Sequence, residues 1–426
     1  MKTVIPTEQY AEYVSEWDKV AHAGAHHLNL DAWASGRRYL SLASVCLTAA
    51  EAAQLRDLTQ RFGPLMDRAV EGILNDSDWW SALAWPWPAI ELARQEPAHP
   101  GGVTSLYGRF DFLLDINAAW QVVEYNADTP SGGREASGLE PAIAKLFPKL
   151  RSLSPRLRSH LASALTKRIA QHPRPVHLVG VVSSHSWLED IAQATWLASL
   201  LRNAGQPTLV GDVNDLATRK GGITLRGQPI DALYRFYPVE RLYRHAIFAS
   251  VCEAAIDGSL LVLNGLRGFL AQSKACLAWL WANRHAVGRS GEQAIERHLP
   301  ATVPARGSDA AKLLPTGVIK HVNGREGDSV VFGKDVDPAS WDQRLLEGGY
   351  VVQRAVSSPA VQDVEVDDAR QRVDCIGPKY ACVGAFSIGG RFGGCYTRLD
   401  GPITSARATY AATLQEADQV EGARPR

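Results

Sequence analysis

The stretch from Tyr107 to Pro130, YGRFDFLLDINAAWQVVEYNADTP, gathers residue types that hold a hard cation beside a phosphate. Its alternation of apolar and polar residues predicts two strands about a polar turn. On the first strand Phe110, Phe112 and Leu114 share one face, so Arg109 and Asp111 share the other. On the second, period two puts Trp120, Val122, Glu124 and Asn126 together. With Ile116 to Ala119 as the turn, Asp111 comes opposite Glu124 and Arg109 opposite Asn126. Opposed side chains lie about 5 Å apart at Cβ, so the two carboxylates repel. A divalent cation removes the objection. Asp, Glu and an Asn carbonyl oxygen are ligands that Mg2+ accepts when phosphate supplies the remaining sites. The fork of Arg109 suits a phosphate oxygen. The alternative is an exposed face whose Arg, Asp, Glu and Asn pair with one another.

Other routes to chemistry are missing from the sequence. It has no GxxxxGK[ST] loop, no GxGxxG opening a helix, no HExxH and no GxSxG. His22, His26 and His27 have no cysteine or carboxylate at ligand spacing and read as an exposed segment. The six cysteines are scattered and suggest neither a disulfide framework nor a zinc site.

The elements that must carry the hairpin alternate between helix and strand. Apolar residues at helical spacing (Leu55, Leu58, Phe62, Leu65, Met66, Val70) predict a helix within Leu40–Leu74. The prolines of the stretch from Asp78 to Pro88 predict irregular chain. A helix follows from Ser152 to Gln171, then a strand from His177 to Ser183 and a helix from Trp187 to Ala204 closed by Gly205. Further strands are expected at Ile230–Tyr237 and Leu260–Leu263, and a helix at Gly268–Asn283. The C-terminal third is β-rich, with Val318–Phe332 forming two runs around a glycine loop. The fold class is α+β with mixed sheets. We expect a mostly helical region over 1–105, the hairpin with an α/β region over 106–265, a lysine and glycine-loop region over 266–410, and a flexible tail over 411–426.

The 426 residues carry 45 basic and 45 acidic side chains, 46% hydrophobic and 21% charged overall, as an ordinary globular chain does. Zero net charge argues against bulk nucleic acid or an anionic membrane as partner. No apolar run approaches the ~18 residues of a membrane span, and the N-terminus lacks a signal peptide's apolar core. A soluble, cytoplasmic protein is expected, its oligomeric state unread.

The hairpin resembles the signature of the glutathionylspermidine synthetase family, ATP-grasp-type ligases in which a pattern like RFD…EYNADTP…E supplies metal ligands. The resemblance implies a nucleotide held between two β-layers, with ATP and Mg2+ as cofactors. By position Arg109 looks like a phosphate-contacting arginine, and Asp111, Glu124 and Asn126 look like magnesium ligands. Thr129 and Ser131 match the loop that touches the carboxylate substrate, and Glu135 falls on an acidic position. Residues Ala136 to Pro141 depart from the pattern.

Gln272-Ser273-Lys274 resembles the family's SNKA segment, and Lys320 followed by Gly324, Arg325, Glu326 and Gly327 resembles its lysine and GREG loop. Such a strand presents a lysine, and paired glycines then expose N–H groups that cradle phosphate. Gln353 matches a strand near the adenine. Arg398, ahead of Pro402-Ile403-Thr404, matches an arginine that stabilises charge on the transferring phosphoryl group. Glu189-Asp190 resembles an ED stretch, and Glu240 an amine-side carboxylate, although Val239 replaces the family's tryptophan. The matches run from roughly Tyr39 to Thr404, with no amidase-type domain ahead of them, which implies synthesis without built-in hydrolysis.

The implied reaction joins a small-molecule carboxylate to an amine through an acyl phosphate, releasing ADP and phosphate. An amide ligase of specialised metabolism, a kinase acting on a carboxylate, and a retained fold that binds nucleotide or peptide without catalysis are the competing readings. Asp111→Ala or Glu124→Ala is expected to abolish turnover and leave the fold intact.

Overall fold

The Asp111–Glu124 pairing forms, and it forms beside a bulge. Strand Tyr107–Leu114 runs antiparallel to strand Trp120–Asn126, with Arg109 facing Asn126 and Asp111 facing Glu124. The register then slips, so that Phe112 faces Val122 and Leu114 faces Trp120. Val123 is the extra residue, and it reverses the alternation on its strand. Trp120 and Val122 join Phe112 and Leu114 in the core, while Glu124 and Asn126 emerge beside Arg109 and Asp111. The four residues that plain period two grouped therefore divide between two faces. The turn includes Asp115, whose carboxylate accepts the N–H groups of Asn117 and Ala119.

The computed structural model describes residues 1–28, 32–34, 36–96, 104–219, 222–325 and 327–417. The hairpin edges an antiparallel sheet ordered Thr409–Ala411, Arg391–Asp400, Arg372–Ile388, Tyr107–Leu114, Trp120–Asn126. Strand Val361–Asp367 pairs with the first half of the long Arg372–Ile388 strand. Gly384 lies opposite Asp111, and a Cβ there would fall 2.6 Å from Arg109 Cδ, so glycine makes room for the arginine stem.

Helix Ala49–Leu74 packs against this sheet through Leu55, Leu58, Phe62, Met66, Val70 and Ile73. It contains the whole run of helically spaced apolar residues and begins at Ala49, inside the expected stretch. Ser44–Leu47 is a strand, and Thr48 caps the helix in a reciprocal capping box with Glu51. The tryptophan- and proline-rich stretch is also more regular than expected. Ser77–Leu83 is a 3-10 helix and Trp87–Gln95 an α-helix that carries Pro88 in its first turn, where a missing N–H costs nothing.

Two further four-stranded sheets bear on the site. A parallel sheet is ordered Leu261–Val262, Ala232–Phe236, Val179–Ser183, Thr208–Asp212, with helix Leu188–Asn203 crossing between its last two strands. A smaller antiparallel sheet is ordered Thr302–Pro304, Tyr350–Arg354, Gly317–His321, Val331–Phe332. The expected Gly268–Asn283 helix is two helices, Leu266–Gln272 and Lys274–Ala282, broken at Ser273, which is extended (φ −60°, ψ 129°) and caps Ala275 N–H.

The C-terminus departs from a tail as far as it is described. Thr413–Glu416 is a strand between Ser44–Leu47 and Leu150–Ser152, its Leu414 fully buried; residues 418–426 lie outside the described residues. The histidine-rich stretch ends helix Tyr10–Leu28. Among the described residues no group of three His, Cys, Asp or Glu is placed to hold a metal unaided, and no helix is long and apolar enough to cross a membrane.

Candidate active site

A cavity of about 340 Å3 lies between the smaller antiparallel sheet and the hairpin-edged sheet. The walls bring together Asp111 and Glu124 from the hairpin, Lys274, Lys320, Gln353 and Arg398. These come from five separate segments of the chain, and every one was singled out by the sequence.

The carboxylates are held by cations. Arg109 grips Asp111 through both Nε (2.7 Å to Oδ1) and Nη2 (3.0 Å to Oδ2). Arg398 Nη2 donates to Asp111 Oδ2 at 2.8 Å, and Asn126 Nδ2 donates to the same oxygen at 3.2 Å. Burial alone would raise the Asp111 carboxyl, but the Arg109 and Arg398 charges and these hydrogen bonds hold it below its usual value. Glu124 takes Lys274 Nζ at 3.0 Å on Oε1. Burial again opposes its charge, and Lys274 and Lys320 outweigh both burial and the neighbouring Asp111.

The lysines are anchored differently. Lys274, the first residue of its helix, also donates to the Gly324 carbonyl at 2.9 Å and so ties the helix start to the glycine loop. Lys320 donates to Gln353 Oε1 at 2.7 Å and to the Val123 carbonyl at 3.3 Å, the carbonyl of the bulge residue. Burial pushes Lys320 down to about 8. Gln353 is itself fixed by Thr302 Oγ1 at 3.0 Å, so this glutamine holds a lysine rather than an edge of the sheet.

The glycine loop closes the cavity. Gly324, Gly327 and Asp328 line it, against Pro402, Ile403 and Thr404. Gly327 has φ +72°, and a Cβ there would run into the Thr404 carbonyl oxygen. Glu326 lies outside the described residues. The cavity also has an apolar lining (Leu113, Val318, Val330, Phe332, Ile403), which no motif in the sequence marks.

Arg325 is not among the residues lining this cavity. Its Nε and Nη2 lie 3.0 and 3.3 Å from the two oxygens of Glu240, and its Nη1 donates to Thr129 Oγ1 at 3.0 Å. Behind it Asp128 pairs with buried Arg235 at 2.5 Å, an ion pair that sequence reasoning missed although NADTP and YRFYP each carry one half. Arg325 therefore joins the glycine loop to Thr129 and Glu240. Arg109 stands at the border of the two regions: its Nη1 donates to the Ser131 carbonyl at 2.8 Å. Glu135, also buried, lies beyond Tyr396, whose ring covers the Arg109 guanidinium at 5.3 Å.

The donor set fits a phosphate chain with one divalent cation. Four cationic side chains (Lys274, Lys320, Arg354 and Arg398) line the cavity together with the adjacent carboxylates of Asp111 and Glu124, and Asn126 spends its N–H on Asp111, which leaves its carbonyl oxygen for a cation. Mg2+ at Asp111, Glu124 and Asn126 would complete its shell with phosphate oxygens, since protein ligands alone are too few.

A cavity between two β-layers, with one lysine from a strand of the smaller sheet, another from a helix start, and a glycine loop along its wall, defines an ATP-grasp-like fold. The chain belongs to the glutathionylspermidine synthase preATP-grasp family, whose model matches residues 9–415. It is 29% identical over 274 residues to a Haemophilus influenzae protein described as "Putative acid--amine ligase", a match spanning 60% of this chain and 64% of that protein's length. The structure of a glutathione synthetase like-effector from Globodera pallida superposes with a TM-score of 0.62 at 11% identity, covering 96% of this chain and 98% of that one. That likeness shows the fold.

Proposed function

We propose that this protein is an ATP-dependent carboxylate–amine ligase that forms an amide bond through an acyl phosphate and releases ADP and phosphate. The observation that carries the reading is the Asp111–Glu124 pair set among Lys274, Lys320 and Arg398 in one cavity. Family membership and the likeness to an acid–amine ligase support it.

A carboxylate is a poor electrophile because oxide is a prohibitive leaving group; phosphorylation supplies one that leaves. Lys274 and Lys320 would hold the phosphates, and Arg398 would spread the charge of the transferring group over its planar donors. Mg2+ on Asp111, Glu124 and Asn126 would neutralise charge on the phosphates. Arg109 would orient the acid beside the Thr129–Ser131 loop, since it touches Asp111 on one side and Ser131 on the other. Arg325 and Glu240 would link loop closure to occupancy of that acid and amine side. No enzyme-bound covalent intermediate is required.

The test is phosphate release from ATP and Mg2+ across a crossed panel of carboxylates (glutathione, amino acids, dipeptides) and amines, with mass spectrometry of the positive wells. The reading requires phosphate only with an acid–amine pair and a product one water lighter than the pair. A stable phosphorylated acid formed without any amine would replace it with a kinase.

A further inference from the structure

Six acidic residues are buried among the described residues, and five of them are accounted for. Glu96 accepts the N–H groups of Leu266 and Arg267; Asp111 and Asp128 are paired with arginines; Glu140 accepts Ser152, Ser154 and Thr413; Asp363 accepts Ser41, Val364 and Thr409. Glu135 is the sixth. It is 2% exposed and, among the described residues, makes no ion pair and receives on Oε1 a single donor, Tyr39 Oη, at 3.3 Å. Its Oε2 is buried with no partner. A carboxylate oxygen left so has lost its hydration with nothing in exchange, and a cation or donor that reaches it is bound favourably.

What surrounds Glu135 is aromatic. Tyr39 and Tyr396 share a hydrogen bond of 2.8 Å between their hydroxyls, and the Tyr396 and Tyr410 rings stack 5.6 Å apart. Tyr410 Oη donates to the Glu135 carbonyl at 3.3 Å. The hydroxyl of Tyr107 is buried and, like Glu135 Oε2, has no partner. Burial and the Glu135 charge together raise the hydroxyls of Tyr39, Tyr107 and Tyr396, so each stays neutral. Tyr39 is only partly buried and feels the charge of exposed Glu189, which adds negative potential on that side.

We propose that Glu135, boxed by Tyr39, Tyr107 and Tyr396, is a subsite for a primary ammonium group, that of the amine substrate. An ammonium presents three donors, and Glu135 Oε2 and Tyr107 Oη are acceptors without a partner. Tyr396 separates this subsite from Arg109, so an amine bound there lies one aromatic ring from the border residue of the phosphate cavity. This inference rests on the ligase reading.

The experiment is calorimetric titration of the full chain, with ATP analogue and Mg2+ present, with methylamine, ethylamine and 1,4-diaminobutane against methanol, ethanol and 1,4-butanediol. Nucleotide binding is measured separately in every variant, so failure of the ligase reading shows as its loss from the wild type. Amines should bind and alcohols should not. Glu135→Gln should weaken amine binding by about ten-fold or more, the worth of a charged hydrogen bond, with nucleotide affinity unchanged. Tyr107→Phe, which removes one acceptor and keeps the ring, should weaken it less. Equal amine affinity in Glu135→Gln, or no amine binding to a wild type that binds nucleotide, overturns the proposal and leaves the ligase reading standing.

Discussion

Lys274 and Glu124 stand 150 residues apart in the chain and meet at 3.0 Å, joining the start of a helix to the second strand of the hairpin. The contact does two jobs, since Lys274 Nζ also holds the Gly324 carbonyl. Glu124→Gln should therefore lower phosphate release by about a hundred-fold or more, as loss of a preorganised electrostatic group does, and raise the Mg2+ concentration needed for half-maximal rate. Steady-state rates against Mg2+ at saturating substrates test this; near wild-type turnover would remove Glu124 from the metal site.

Asp111 is a poorer probe than its sequence suggests. Arg109, Arg398 and Asn126 all donate to it, and Asp111→Ala would strand two arginines in a largely buried setting. We expect a loss of about 3–5 kcal/mol, the usual cost of breaking a buried pair from one side, seen as a lower denaturation midpoint. Asp111→Asn keeps the shape and should lose activity with a smaller drop in stability.

Lys320 should make nucleotide binding sensitive to mild alkali. Burial lowers its folded value to about 8, against about 10.4 unfolded, so the free protein loses this charge as pH rises through 8. Affinity for ATP should fall about ten-fold per pH unit above that point, where an ordinary lysine would hold its charge. The same shift makes the unfolded chain bind more protons between about pH 8 and 10.4, so this group's contribution to stability rises with pH across that window. Lys320→Arg should flatten the affinity profile; an unchanged slope would assign the titration elsewhere.

Arg325 should separate the two halves of the site. Arg325→Ala is expected to raise KM for the acid or amine several-fold with little change in ATP affinity, because its partners are Glu240, Thr129 and, at 3.6 Å, Asp128, none of them in the phosphate cavity. Combined with Glu240→Gln, the two effects should fall short of adding, as contacting residues do. Full additivity in initial-rate measurements would show that the ion pair has no part in binding.

The register of the hairpin was legible because Arg109, Asp111, Glu124 and Asn126 are chemically odd residues for two neighbouring strands, and their pairing is local. The bulge was not, since a two-residue period reads the same with or without an unpaired Val123. Lys274 and Lys320 were legible through short motifs, but their anchors, the Gly324 and Val123 carbonyls, are main-chain atoms that carry no letter. Arg325 was placed with the phosphates because GREG is continuous in sequence; its side chain turns the other way, toward Glu240. The tyrosine box was invisible for a different reason. Tyr39, Tyr107, Tyr396 and Tyr410 arrive from distant segments, and nothing local marks any one of them.

The Val123 carbonyl has a consequence for how this protein tolerates change. It is an acceptor that the chain makes by its path and not by its choice of residue, so most substitutions at position 123 leave it in place. A scan of side chains there reads only the buried Val123 side chain at the cavity wall and leaves this oxygen untested. Removing Val123 would restore a regular ladder, keep Asp111 opposite Glu124, and take away the backbone oxygen that steadies Lys320 across the cavity. The site thus holds one functional group that drift in sequence leaves intact and only a change of length deletes.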